Sequence, residues 1–200
     1  FFPSRGIRQG DPISPYLFVI MMERLGHLIQ TAVEDGDWQP FRLSKQGTPI
    51  SHLFFADDLI LFAEADLDHA GVVKAILDDF CDISGQKVNA AKSRIYFSRN
   101  VNQIKRKEIS EFLNFVPTSN LGKYLGMPIL HERSSKATYN FLLNKMDTRL
   151  ASWKSNMLSM AARHTLVSSV LSTMPSYAMQ TVHLPLSTCD EIDKRCRNFI

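Results

Sequence analysis

Cysteine is scarce in this chain. Cys81, Cys189 and Cys196 are the only three, an odd number with no C-x-x-C pair and no histidine spaced to complete a zinc site. A disulfide framework is therefore not expected, and an intracellular, reducing compartment is the simplest reading, with nucleus and cytoplasm not distinguished. Long apolar runs are missing as well: the longest, Tyr16 to Met22, falls far short of the roughly 20 residues that cross a bilayer. No charged, apolar and small-residue leader opens the chain. It begins at Phe1-Phe2-Pro3, which reads as the interior of a larger protein. Internal repeats and low-complexity tracts are absent. The six histidines, His27, His52, His69, His131, His164 and His183, stand singly and are read as surface or partly buried side chains without chemistry.

What is present is the composition of a globular chain, 44% hydrophobic and 22% charged over 200 residues, enough for one core or for a core with a small satellite. The net charge of +3 conceals a division along the sequence. Residues 34–82 carry 3 basic and 11 acidic side chains, whereas residues 84–163 carry 14 basic and 4 acidic. A basic segment beside an acidic one suits a polyanion-binding surface next to a cation site, and it equally suits solvated helix faces.

The apolar spacing predicts an α+β chain. Phe18, Met21, Met22, Leu25, Leu28, Ile29 and Ala32 recur at helical intervals after Ser14-Pro15, a helix capped by Ser14 whose apolar first turns are expected to be buried. Ile50 to Phe55 and Leu59 to Ala63 flank Ala56-Asp57-Asp58. They predict a β-hairpin with two carboxylates in its turn and, lacking clean alternation, strands covered on both faces. Asp68 is expected to cap a helix that carries Val73, Ile76, Leu77 and Phe80 and closes near Gly85. A strand at Lys92–Ser98, a helix at Ile104–Phe115 and a strand at Lys123–Leu130 follow. Beyond residue 130 the pattern turns helical: a stripe of Tyr139, Leu142, Leu143, Met146, Leu150 and Trp153, a helix with Leu166, Val167, Val170 and Leu171, and a last one capped by Ser187. A boundary near residue 130 is expected, giving an α/β part at 1–130 and a helical part at 131–200.

Adjacent aspartates between apolar strands need compensation, because like charges repel and burying either alone is costly. Magnesium, which prefers hard carboxylate oxygens, supplies it. A solvated acidic turn does so too. Gly6 and Gly10 let a backbone approach a ligand closely, Arg5 and Arg8 can meet phosphates and Gln9 a base or sugar edge, although a plain loop before a helix would look the same. Lys92 can serve a nucleotide phosphate or protonate a leaving group, or it is a solvated lysine at a strand end. Tyr124 and Trp153 offer stacking surfaces, yet Trp153 also falls on the apolar stripe.

Four blocks carry a resemblance. Phe55-Ala56-Asp57-Asp58 between apolar strands is similar to the F/Y-x-D-D signature of reverse transcriptases in the form used by LINE-type, non-LTR retrotransposons. Upstream, Arg5-Gly6-Ile7-Arg8-Gln9-Gly10-Asp11-Pro12 resembles that family's template- and nucleotide-positioning motif. Gly85 to Ser93 resembles the next block and Tyr124-Leu125-Gly126-Met127-Pro128 the block that holds the primer end. The order is that of the family, and the likeness continues through Trp153-Lys154, Leu158-Ser159 and Leu184-Pro185.

The resemblance implies a partial polymerase palm at 1–130, with a β-hairpin sheet packed on helices, and a helical, thumb-like bundle at 131–200. It implies an RNA-directed DNA polymerase that uses two magnesium ions, an RNA template, a DNA primer and deoxynucleoside triphosphates. Asp57 and Asp58 would hold metal, Lys92 would act on the triphosphate, and Arg5, Gly6, Arg8, Gln9, Gly10, Phe55 and Ala56 would line the substrate site. Tyr124, Leu125 and Gly126 would form the primer grip, and Lys136, Lys145, Arg149, Lys154 and Arg163 would face a phosphate backbone. The family pattern also includes a metal-binding aspartate on an earlier strand, and fingers, neither of which this chain contains. The 200 residues alone are accordingly expected to polymerise poorly or not at all. The alternative is a catalytically dead nucleic-acid-binding relic.

Overall fold

The apolar spacing after Pro15 is realised as helix α1, Ser14–Glu34, in a computed structural model that describes residues 10–130, 136–154 and 158–200. Ser14 lies inside the first turn, and the N-cap position is Ile13. Asp11 turns the chain just ahead of it: its carboxylate accepts from the Ile13 N–H at 3.0 Å and its carbonyl from the Ser14 N–H, an acidic turn that leads into the helix. The expected burial of the first turns is also overturned. Ile13, Tyr16, Leu17, Val19 and Ile20 are 43–71% exposed, because the described elements that pack on α1 reach it only from Met21 onward.

The chain divides into two compact units, Phe1–Leu121 and Gly122–Ile200. In the first, α1 packs on α2, Leu67–Ser84. The N-cap of α2 is Asp66, not Asp68. Asp66 has the extended backbone a cap requires and its carboxylate accepts from the His69 N–H at 2.8 Å, while Asp68 sits in the first turn, where it complements the helix dipole. Gly85, left-handed at φ +71°, closes the helix as expected.

Short strands β1, Phe41–Arg42, and β2, Pro49–Ile50, pair ahead of the hairpin of β3, His52–Phe55, and β4, Asp58–Leu61. Among the described residues the hairpin packs mainly through one face, with Ile60 half-buried on the other. His52 and Phe54 turn inward whereas Leu53 and Phe55 are exposed, and Phe54, Leu59 and Leu61 rest on a core of Leu25, Ile29, Trp38, Val73, Leu77 and Phe80. Each large apolar side chain buried in this way contributes about 1.5–3 kcal/mol.

Strand β5, Arg94–Tyr96, helix α3, Gln103–Leu113, and strand β6, Val116–Thr118, form a β-α-β unit with parallel strands. It closes over a second cluster of Ala70, Phe97 and Ile109.

In the second unit the segment expected as one strand is a tight hairpin of β7, Lys123–Tyr124, and β8, Met127–Pro128. Leu125 and Gly126 both take positive φ and reverse the chain. A 3₁₀ turn at Lys136–Tyr139 leads into α4, Asn140–Lys154, whose Leu142, Leu143, Met146 and Leu150 are buried as the stripe predicts. Then come α5, Met160–Leu166, a π turn at Val167–Leu171, α6, Ser176–Thr181, and α7, Leu186–Phe199. Ser187 does not cap α7; the Pro185 carbonyl takes the first N–H groups, those of Thr188 and Cys189. Across this core Arg195 of α7 grips Asp147 of α4 in a two-pronged ion pair, 2.8 and 3.3 Å, and Glu191 at 2.8 Å.

Candidate catalytic hairpin and primer-end hairpin

The β3–β4 register pairs Phe55 with Asp58, so the connection is only Ala56-Asp57, and Asp58 opens β4 instead of lying in the turn. Ala56 has φ +49°. A two-residue reversal requires a positive φ there, and a non-glycine residue takes it at a cost of about 1–2 kcal/mol. The strained tip is held from behind. Phe54 contacts α1 closely enough that a Cβ on Gly26 would lie 3.6 Å from its ring, and the Phe62 N–H donates to the Ser51 carbonyl at 2.8 Å, extending the ladder beyond β4. Trp38, 1% exposed, donates its indole N–H to the Phe62 carbonyl at 2.8 Å. No local pattern marks this tryptophan, since its partner lies 24 residues away.

The expectation of two paired carboxylates at a hairpin end thus meets an exposed tip: Phe55 is 56% exposed, and Ala56, Asp57 and Asp58 are exposed with it. Their oxygens are hard donors of the kind magnesium takes. Among the described residues no third carboxylate or histidine joins them within ligand reach, so the donor chemistry fits the implied cation while the ligand set is partial.

The remaining expected residues fall in three places. Arg5, Gly6, Arg8 and Gln9 lie outside the described residues. Gly10, left-handed at φ +87° with open space where a Cβ would stand, begins the turn into α1. Lys92 is exposed in the turn ahead of β5, where the Asn89 carbonyl and side chain both accept from its backbone N–H. Tyr124, Leu125 and Gly126 belong to the second unit. There Met127 packs on the helical core, the Lys123 ammonium lies 5.0 Å from the Phe141 ring centroid, and the Leu125 carbonyl accepts from the Tyr177 hydroxyl at 2.6 Å.

Of the basic residues expected to face phosphates, Lys145 and Arg149 are exposed on α4. Arg163 turns inward instead, over the Phe199 ring and toward its carbonyl, where apolar packing of its stem and the ring quadrupole hold it. The side chains of Lys136, Trp153 and Lys154 lie outside the described set. On α3, Arg106 is spent on the Val101 and Ser98 carbonyls at 2.8 and 2.9 Å, leaving Lys105 and Lys107 exposed.

One cluster escaped the sequence reading. Glu64, Asp66 and His69 bring potential ligand atoms within 4.8 Å of one another. Most of that geometry is helix capping, with the His69 ring Nδ1 at 2.8 Å from the Asp66 carboxylate. Burial alone would raise the Asp66 carboxyl, but the His69 backbone N–H and ring outweigh it and hold the group below its ordinary value.

Residues 1–129 match the family described as reverse transcriptase (RNA-dependent DNA polymerase). An uncharacterized mitochondrial protein of Arabidopsis thaliana is 52% identical over 56 residues, 28% of this chain and 46% of that protein. A putative ribonuclease H protein of the same plant is 38% identical over 74 residues, 37% of this chain and 12% of its own. The retrovirus-related Pol polyprotein of the type-2 retrotransposable element R2DM from Drosophila melanogaster is 38% identical over 96 residues, 46% of this chain and 8% of that polyprotein. The chain spans less than half the length of each of these relatives.

Proposed function

This chain belongs to the reverse transcriptase (RNA-dependent DNA polymerase) family, in its LINE-type, non-LTR retrotransposon form, and from that premise we propose that it carries the metal-binding and primer-holding part of an RNA-directed DNA polymerase. The supporting observation is the hairpin: Phe55-Ala56-Asp57-Asp58 projects from a pair of strands whose Phe54 and Leu59 are seated on the α1–α2 core. A site mounted on packed elements keeps its geometry better than one on a free loop.

In this reading the first unit is a partial palm and the second a thumb-like bundle that also bears the primer-end hairpin. Asp57 is the direct metal ligand and Asp58 the second carboxylate. Gly10, with Arg5, Gly6, Arg8 and Gln9, shapes the nucleotide pocket beside Phe55 and Ala56, and Lys92 meets the triphosphate. Tyr124, Leu125 and Gly126 hold the primer end, and Lys145 and Arg149 meet the duplex backbone. Bound magnesium would offset charge developing on the triphosphate and ready the primer hydroxyl. The first unit's own contribution is to hold two carboxylates on a packed hairpin, and positioning of that kind accounts for much of such a rate.

With two carboxylates and no third ligand beside them among the described residues, the 200 residues alone are expected to bind the cation weakly and extend poorly. The test is primer extension on an RNA template, by the chain alone and by the chain joined to the additional polypeptide its longer relatives carry. Extension in the longer form should require magnesium and disappear in Asp57→Asn while thermal unfolding stays unchanged. Activity surviving that substitution would refute the assignment.

The exposure of Asp57 and Asp58, with no third ligand beside them among the described residues, also favours a second reading, a nucleic-acid-binding relic. It requires salt-sensitive duplex binding through the basic segment and no extension at any magnesium concentration in either form.

A further inference from the structure

The second hairpin turns on two residues of positive φ, +52° at Leu125 and +83° at Gly126. Glycine adopts that conformation freely, whereas leucine resists it because its Cβ crowds the following carbonyl. The turn is braced from a distant part of the sequence. Tyr177, on α6, donates its hydroxyl to the Leu125 carbonyl at 2.6 Å across 52 residues. Its ring lies beside the second turn residue, where a Cβ on Gly126 would stand 4.0 Å from Tyr177 Cε1. Tyr177 is itself 50% exposed, but its neighbour Ala178 is buried in the helical core, so the base of the side chain is fixed. On the strand side, Met127 packs on that same core and the Ile129 N–H donates to the Gly122 carbonyl at 2.9 Å.

We propose that Tyr177 is a positioning residue that holds the Leu125-Gly126 turn in the shape in which it meets the primer end; this rests on the assignment of that hairpin under Proposed function. The tyrosine acts through the turn. Its hydroxyl fixes the direction of the Leu125 carbonyl and therefore the plane of the Leu125–Gly126 peptide. Without it, Leu125 is free to relax toward negative φ, which rotates that peptide and re-aims the Gly126 N–H. An aromatic ring alone, as in phenylalanine, still packs against Gly126 but leaves the carbonyl without its donor.

The experiment uses the whole chain and a recessed RNA–DNA primer–template carrying 2-aminopurine either at the primer 3′ terminus or deep inside the duplex. Tyr177→Phe should bind the duplex within about twofold of the unmodified chain, keep the internal signal and unfold only a few degrees lower, about what one net hydrogen bond of roughly 1 kcal/mol is worth. It should lose most of the 3′-terminal fluorescence change, and its Met127 amide should exchange about fivefold faster, the factor expected for one net hydrogen bond. A merely structural tyrosine would leave the 3′-terminal signal intact or move both probes together. An unaltered 3′-terminal signal in Tyr177→Phe overturns the inference and leaves the assignment of the hairpin standing. Absence of that signal in the unmodified chain overturns the assignment first and the inference with it.

Discussion

Trp38 should decide whether the β3–β4 hairpin stays seated. It is almost fully buried among Leu25, Ile29, Val73, Leu77 and Phe80, and its indole N–H holds the Phe62 carbonyl just beyond β4. Trp38→Ala removes the largest side chain of this cluster and leaves a cavity, a loss of about 3–5 kcal/mol, to which the orphaned carbonyl adds about 1 kcal/mol. Against a total stability of roughly 5–15 kcal/mol this is severe. For a unit of this size it lowers the unfolding midpoint by roughly 10 °C or more. Trp38→Phe keeps most of the apolar burial and loses the hydrogen bond, for about 1–2 kcal/mol. Urea unfolding followed by circular dichroism measures both, and amide exchange at Phe54 and Leu61 shows whether the hairpin loosens with the core. A loss below about 1 kcal/mol in Trp38→Ala, or unchanged exchange in the hairpin, would refute the claim that this core holds the tip.

At the tip itself, Ala56→Val should unfold at lower urea than Ala56→Gly by about 1–2 kcal/mol, because a β-branched residue resists positive φ where glycine does not; equal midpoints would show that Ala56 is unstrained. His52, on the inner side of β3, has its pKa lowered by burial. Its contribution to stability should therefore be complete above about pH 6.5 and decline as the pH falls from there through the lowered folded value, since the unfolded chain takes up the proton first. His52→Gln should flatten the urea midpoint across that window, and an unchanged slope would remove His52 as the cause.

The parts of the fold set by local pattern were readable. The hairpin around Ala56-Asp57-Asp58, the apolar side of α2 and the stripe on α4 follow from spacing alone, because each pattern repeats within a few residues. Features set by distant partners were not. Trp38 gives no hint of Phe62, nor Leu125 of Tyr177. Capping was ambiguous where two aspartates stand two apart, and the extended backbone of Asp66 with the His69 N–H decides it. The β7–β8 hairpin looks like one strand in the sequence because Leu-Gly lacks the Asn-Gly signal that marks such turns. Strand β5 lies inside the strand expected at Lys92–Ser98, whereas its partner β6 is three residues long and carries Pro117, which argues against a strand except at an edge. The first turns of α1 look buried by composition, yet burial depends on what packs there, and the described elements leave them open. Of the candidate site, the carboxylate pair was legible by position. Its exposure, and the clustering of Glu64, Asp66 and His69 close by in sequence, was not.

The most direct measurement is the location of a bound divalent cation. With primer–template and a deoxynucleoside triphosphate present, paramagnetic manganese should broaden the backbone amide resonances around Ala56, Asp57 and Asp58, and the broadening should vanish in Asp57→Asn. Broadening centred on Glu64, Asp66 and His69, or spread evenly over the acidic segment, would contradict the assignment of the hairpin tip as the metal-binding site.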